Sequence, residues 1–92
     1  LISNQSNIIS STAVLRVASI YLQLGQHNEA LSTLNIESGE GFSGLIYNLT
    51  GDVYLDLGNS DKAKKYYLLA IENITENSNL TQLIQIKLDD LN

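Results

Sequence analysis

The sequence predicts an all-α fold made of two helix-turn-helix units followed by one closing helix, and three observations predict it. The stretch from Ala18 to Ala30 recurs as Gly51 to Ala63, an offset of 33 residues. Within both copies the apolar residues follow the i, i+3, i+4 spacing of one helix face. A glycine closes each stripe, where only a residue without Cβ takes the left-handed conformation at no steric cost. The 92 residues provide for a single domain. A domain of that size buries about 60–65% of the surface its unfolded chain exposes.

Taken in order, the head of the chain, Leu1 to Ser10, places Ile2, Ile8 and Ile9 in a polar stretch, and reads either as the tail of a preceding repeat or as a frayed end. A first helix over about 8–24 carries Val14, Val17, Ala18, Tyr21 and Leu24 on one face. Ala18 admits a neighbouring helix, Tyr21 fills the space between helices, and Gly25 ends the element. Asn28 stands where a second helix, over about 27–35, would be capped, and Ala30, Leu31 and Leu34 form its apolar face. Glycine density from Glu37 to Gly44 marks a loop. A third helix over about 43–57 places Ile46, Leu49, Thr50, Val53 and Leu57 at helical spacing, with Gly51 and Tyr54 in the positions of Ala18 and Tyr21. After Gly58, Asp61 is the matching cap of a fourth helix over about 60–75, with Ala63, Tyr67, Ala70 and Ile71 on its apolar face. The polar run Thr75-Glu76-Asn77-Ser78 breaks the pattern. Asn79 and Gln82 then resemble a capping box for a last helix over about 79–91. Its Leu80, Leu83, Ile84, Leu88 and Leu91 are expected to cover the open flank of the second unit, since a stack of repeats needs a terminal cap. The organisation expected is therefore repeat one over about 8–35, repeat two over about 43–75 and a capping helix over about 79–91.

Composition excludes several function classes. Five basic residues stand against ten acidic ones, giving a net charge of −5, and the one basic cluster is Lys62, Lys64 and Lys65. Phosphate backbones are held by clustered Lys and Arg, so a nucleic-acid partner is not expected. Cys, Met, Trp and Pro are absent, which removes disulfides, thiolate metal sites and a cysteine nucleophile together. No apolar run approaches the roughly 18 residues that span a bilayer. A chain that starts at Leu1 without Met is expected to be a piece of a longer protein, with any targeting signal upstream.

The paired strings YLQLGQHNEAL and YLDLGNSDKAK share an aromatic, a glycine turn and an alanine, a pattern that resembles the tetratricopeptide repeat (TPR). A closer likeness covers nearly the whole chain. EGFSGLIYNLTGDVYLDLGNSDKAKKYYLLAI, followed by a helix ending QIKLDDL, resembles the C-terminal part of the YfgM family. Glu40, Gly41 and Phe42, then Gly51-Asp52 with Tyr54, then Lys87-Leu88-Asp89-Asp90-Leu91 carry the resemblance. It implies a TPR-like domain in the periplasm, held at the bacterial inner membrane by a single N-terminal helix that lies outside these residues. It also implies an ancillary role at the SecYEG translocon, with translocon subunits, periplasmic chaperones or translocating polypeptides as partners.

In TPR-like folds the first helix of each repeat lines a concave, peptide-binding face. Here that face would carry Leu15, Arg16, Ser19, Leu22 and Gln23, then Leu45, Asn48, Leu49, Asp52, Leu55 and Asp56. Leucines interspersed with polar groups suit an extended chain, the apolar area giving affinity and the amides and carboxylates meeting peptide backbone. Leu45, Leu49 and Leu55 have a second reading, as packing residues against the terminal helix. A clamp for a C-terminal carboxylate is not expected, because only Arg16 and Asn48 could serve it and Asp52 and Asp56 lie beside them. Asp52 and Asp56, one turn apart, would either meet a basic partner or form a solvated face. His27, the single histidine, has no convergent partners in the sequence and reads as packing or solvation. Glu37 and Glu40 flank glycines in a loop that does not position them for acid-base chemistry. Gly39, Gly41 and Gly44 lack the spacing and the lysine of a phosphate loop and read as permitting the turn between repeats. No catalytic, cofactor-binding or metal site is expected. The function expected is a protein or peptide interaction module. A homo-oligomerisation domain, pairing through an open repeat edge, is the alternative, and the oligomeric state is left open.

Overall fold

A computed structural model describes residues 10–36, 41–74 and 79–91. Among them are five helices: α1 (Ser11–Gln23), α2 (His27–Leu34), α3 (Ser43–Asp56), α4 (Ser60–Glu72) and α5 (Asn79–Asp90). The chain is all-α and TPR-like. α1 pairs with α2 and α3 with α4, while α3 also packs on both helices of the first pair and α5 packs on α4.

The two repeat turns are built from the same hydrogen bonds. Gly25 (φ +75°) and Gly58 (φ +81°) take the left-handed conformation. The Gly25 and Gly58 amides donate to the carbonyls of Leu22 and Leu55 at 3.0 Å. Those of Gln26 and Asn59 donate to Tyr21 and Tyr54 at 2.8 Å. This paired closure satisfies carbonyls that a helix end otherwise leaves without partners.

The starts of the helices correct the expected caps. Ser10 begins α1, its Oγ accepting the Ala13 amide at 3.1 Å, so that helix starts at residue 11 rather than 8. Asn28 and Asp61 lie inside the first turns of α2 and α4. The N-cap of α4 is Asn59, whose Oδ1 accepts the Lys62 amide at 3.1 Å, and that of α2 is Gln26, which makes no side-chain capping bond. The physical reason is economy of chain: the residue after the turn glycine has already left helical geometry (Gln26 φ −94°, ψ 77°; Asn59 φ −98°, ψ 83°) and serves the next helix at once. Asn79 is the first helical residue of α5, and the residues before it, like Glu37 to Glu40 and Leu1 to Ile9, lie outside the described residues.

The core is two clusters bridged by α3. Ala18, Ala30, Leu34 and Val53 form one, with Leu15, Tyr21, Leu22, Leu31, Ile46 and Leu49 packed around it. Ala63, Tyr67, Ala70, Ile84 and Leu88 form the other, so α5 supplies two of its five buried residues. Burial of Ile84 and Leu88 contributes about 1.5–3 kcal/mol each. Not every residue of the predicted stripes points inward. Val17, Leu24, Leu57 and Leu83 are exposed, because each helix here packs through a stripe narrower than the sequence spacing suggested. Gly44 is also corrected. It lies within α3, buried, where a Cβ would come 2.5 Å from Ile74 Cγ1, so it permits close helix approach rather than a turn. Gly41, with φ +89°, is the turn residue.

Candidate protein-binding face

The face expected to bind polypeptide runs along α1 and α3, and its two halves differ. On α1, Leu15, Arg16 and Ser19 line an open depression of about 360 Å³ together with Thr12 and Ile20. Arg16 is exposed there and Gln23 is exposed one turn beyond Ser19, whereas Leu15 and Leu22 contribute part of their surface to the first core cluster. The depression thus joins an apolar floor to a guanidinium and polar side chains.

On α3 the polar groups already have partners within the chain. Asp52 Oδ1 accepts the Tyr67 hydroxyl at 2.6 Å and the Lys87 ammonium at 3.0 Å. Lys87 Nζ donates also to Asn48 Oδ1 at 3.1 Å and stands 5.4 Å from the centre of the Tyr67 ring. Burial, and then the hydrogen bond and negative charge of Asp52, push the Tyr67 phenol well above its ordinary value of 10.0. Lys87 therefore fastens α5 to α3 across the second repeat. Leu49 packs into the first core cluster, not against α5, and Leu45 and Leu55 are exposed.

Asp56 meets His27, whose Nε2 lies 2.6 Å from Asp56 Oδ2. The expectation that His27 has no partner is corrected by this contact, and the alternatives of a basic partner or a solvated face for Asp52 and Asp56 resolve into two intramolecular pairs. The partners are 29 and 35 residues apart in the chain, so helical periodicity carried no signal for them. Glu37 and Glu40 lie outside the described residues. No helix among the described residues is long and apolar enough to cross a membrane.

The fold agrees with comparison to known proteins. The tetratricopeptide repeat-like domain family matches residues 1–92, the whole chain. The chain belongs to that family. Curated relatives of the chain carry the name ancillary SecYEG translocon subunit. The protein of Aggregatibacter actinomycetemcomitans is 39% identical over 95% of this chain and 43% of its own length. That of Haemophilus influenzae is 33% identical over 99% of this chain and 44% of its own. That of Neisseria gonorrhoeae is 33% identical, again over 99% of this chain and 44% of its own. The resemblance to the YfgM family read from the EGF loop, the second repeat and the KLDDL helix is a resemblance to these proteins. The chain spans less than half the length of the relatives it matches. No solved structure matches it.

Proposed function

We propose that this TPR-like domain is a non-catalytic interaction module of a Sec-translocon-associated protein of the bacterial inner membrane, facing the periplasm. It would bind translocon subunits, periplasmic chaperones or emerging polypeptide. The observation that carries the reading is the open depression on α1, because Leu15, Arg16 and Ser19 were singled out by repeat position and line one concavity. The relatives' name supplies the translocon. Asn48, Asp52 and Asp56 contribute less, since each already holds an intramolecular partner.

The test is photo-crosslinking in the full-length protein in its native membrane, with the reactive group at Ser19 or Gln23 and a control at Gln82, exposed on α5. Crosslinks to translocon subunits, chaperones or nascent chains from Ser19 and Gln23 alone support the reading. Equal crosslinking from Gln82, or none from the α1 positions, counts against it.

The oligomerisation alternative has one observation in its favour. Val17, Ile20 and Leu24 form an exposed apolar edge along α1, with Ile20 55% and Leu24 65% accessible. Sedimentation decides: a monomer across the micromolar range removes this alternative.

A further inference from the structure

A second concavity lies on the opposite side of the repeat. Leu31, Leu34 and Asn35 of α2 and its C-terminal turn, Ile46, Tyr47, Thr50 and Tyr54 of α3, and Tyr66 of α4 enclose about 330 Å³. That is at the lower end of the roughly 300–1,000 Å³ of ligand pockets, room for one or two large side chains. At the 3.6-residue period these α3 positions lie nearly opposite Asn48 and Asp52, so the cleft is separate from the concave face.

Its chemistry is aromatic and cationic. Tyr54 and Tyr66 stack with ring centres 5.5 Å apart and planes 7° from parallel, and Tyr47 continues the stack 6.1 Å from Tyr66. Lys62 Nζ stands 5.1 Å from the centre of the Tyr54 ring, and Lys65 Nζ 5.5 Å from that of Tyr66. At the same period Glu29 and Asp56 lie on other sides of their helices than the cleft residues, and on α4 Asp61 and Glu72 lie about 120–140° from Tyr66, on the side of Lys65, whereas Lys62 stays within about 40° of Tyr66. A chain with a net charge of −5 thus places two exposed ammonium groups beside its one stacked aromatic surface among the described residues. Stacked rings with apolar walls from Leu31, Leu34 and Ile46 favour a flat apolar side chain, and the lysines favour carboxylates next to it.

We infer that the cleft between α2, α3 and α4 is a docking site for an extended segment of a partner protein carrying an aromatic side chain flanked by acidic residues. The aromatic group enters against Tyr54 and Tyr66 while the flanking carboxylates meet Lys62 and Lys65. This does not depend on the α1 face binding anything.

The chain has no Trp, so the indole of a probe peptide is the sole one present. Two short peptides are titrated, one with Trp between glutamates and one with Trp between lysines, following Trp emission and backbone amide shifts. The acidic peptide is expected to give a blue shift and to bind about tenfold tighter at low salt, a preference that fades as salt screens the pairs. Amide shifts should fall on the cleft residues of α2, α3 and α4. Tyr66→Ala should remove the blue shift with helicity retained, and K62E with K65E should invert the preference toward the basic peptide. Equal binding of the two peptides, no blue shift at millimolar peptide, or shifts confined to Leu15, Arg16 and Ser19 would overturn the inference. So would self-association of the unliganded chain that Tyr66→Ala abolishes, which would assign the cleft to a second copy.

Discussion

Replacing Gly51 by alanine tests how tightly the second repeat is packed. A Cβ at residue 51 would lie 2.6 Å from both Cδ1 and Cε1 of Tyr67 and 3.1 Å from Cζ. Carbon contacts settle near 3.5–4.0 Å, so ring or helix must move by about 1 Å. The ring has little freedom, since Tyr67 is fully buried and its hydroxyl is held by Asp52 at 2.6 Å. Overpacking of this kind costs about 1–3 kcal/mol, whereas Gly to Ala in a helix interior gains about 1 kcal/mol. The expected net effect is a loss of about 1 kcal/mol, which lowers the melting midpoint by roughly 4–8 °C in a domain of this size. The first repeat shows the alternative solution. Ala18 and Leu34 stand where Gly51 and Tyr67 stand in the second, so the repeat trades a methyl group on one helix for a larger side chain on the other. Gly51→Ala should therefore destabilise the parent chain and stabilise the Tyr67→Leu background. Urea and thermal melts followed by circular dichroism measure both. If Gly51→Ala raises the midpoint in both backgrounds by its helix-propensity gain, the reasoning about a fixed ring fails.

Tyr67→Phe should alter alkaline stability. The folded phenol is raised above 10.0, so its contribution is fully present below that pH and is lost as pH rises beyond it, at up to about 1.4 kcal/mol per pH unit. The phenylalanine variant should lack this part of the slope in melts between pH 9 and pH 11, and an unchanged slope would contradict it. Removing residues 79–92 exposes Tyr67, Ala63 and Ala70 and forfeits about 3–6 kcal/mol of Ile84 and Leu88 burial, a large share of a typical domain's stability; a cooperative melt retained at the parent midpoint would show that α5 is not a cap. Asn59→Ala should cost about 1 kcal/mol through loss of the Lys62 amide bond, whereas Gln26→Ala should change the midpoint little, both read from the same melts. Lys87→Met keeps an apolar stem against Tyr67 but releases Asn48 and Asp52. It should cost about 1 kcal/mol and strengthen binding of a Lys-rich peptide in fluorescence titration, with no gain counting against occupation of those groups by Lys87.

What could be read in the sequence was what repeats locally. Gly25 and Gly58, each preceded by an aromatic four residues earlier and followed by an alanine five residues later, mark turns whose hydrogen bonds proved the same to 0.1 Å or better, as in the 2.8 Å closures onto Tyr21 and Tyr54. The caps were misplaced because Asn28 and Asp61 are good capping residues standing two positions too late, and the signal overlooked was Asn59 directly after the turn glycine. The α1 residues proposed for the binding face share one helical phase, which is readable from the sequence. On α3 the phase was the same, but the state of Asn48, Asp52 and Asp56 depended on Lys87 and His27, which arrive from distant parts of the chain. The cleft of stacked tyrosines was hidden for a similar reason: Tyr47 and Tyr54 share a side of α3, but Tyr66 joins them only through the pairing of α3 with α4.

The unequal halves of the α1–α3 face follow from how the domain ends. A repeat stacked on its successor hides its flank, and here α5 takes that place with Ile84 and Leu88 inserted beside Tyr67. An inserted helix must also settle the polar groups it approaches, since a half-buried carboxylate left alone costs more than one that is paired. Lys87 meets that requirement, bridging Asp52 and Asn48 over the Tyr67 ring. The same contact that closes the fold thus takes two polar groups out of the face. α1 has no such neighbour among the described residues, so its depression keeps Arg16 and Ser19 accessible beside Leu15. The most accessible part of the face therefore lies at the end of the domain farthest in sequence from the helix that stabilises it, which lets binding there vary without disturbing the cap.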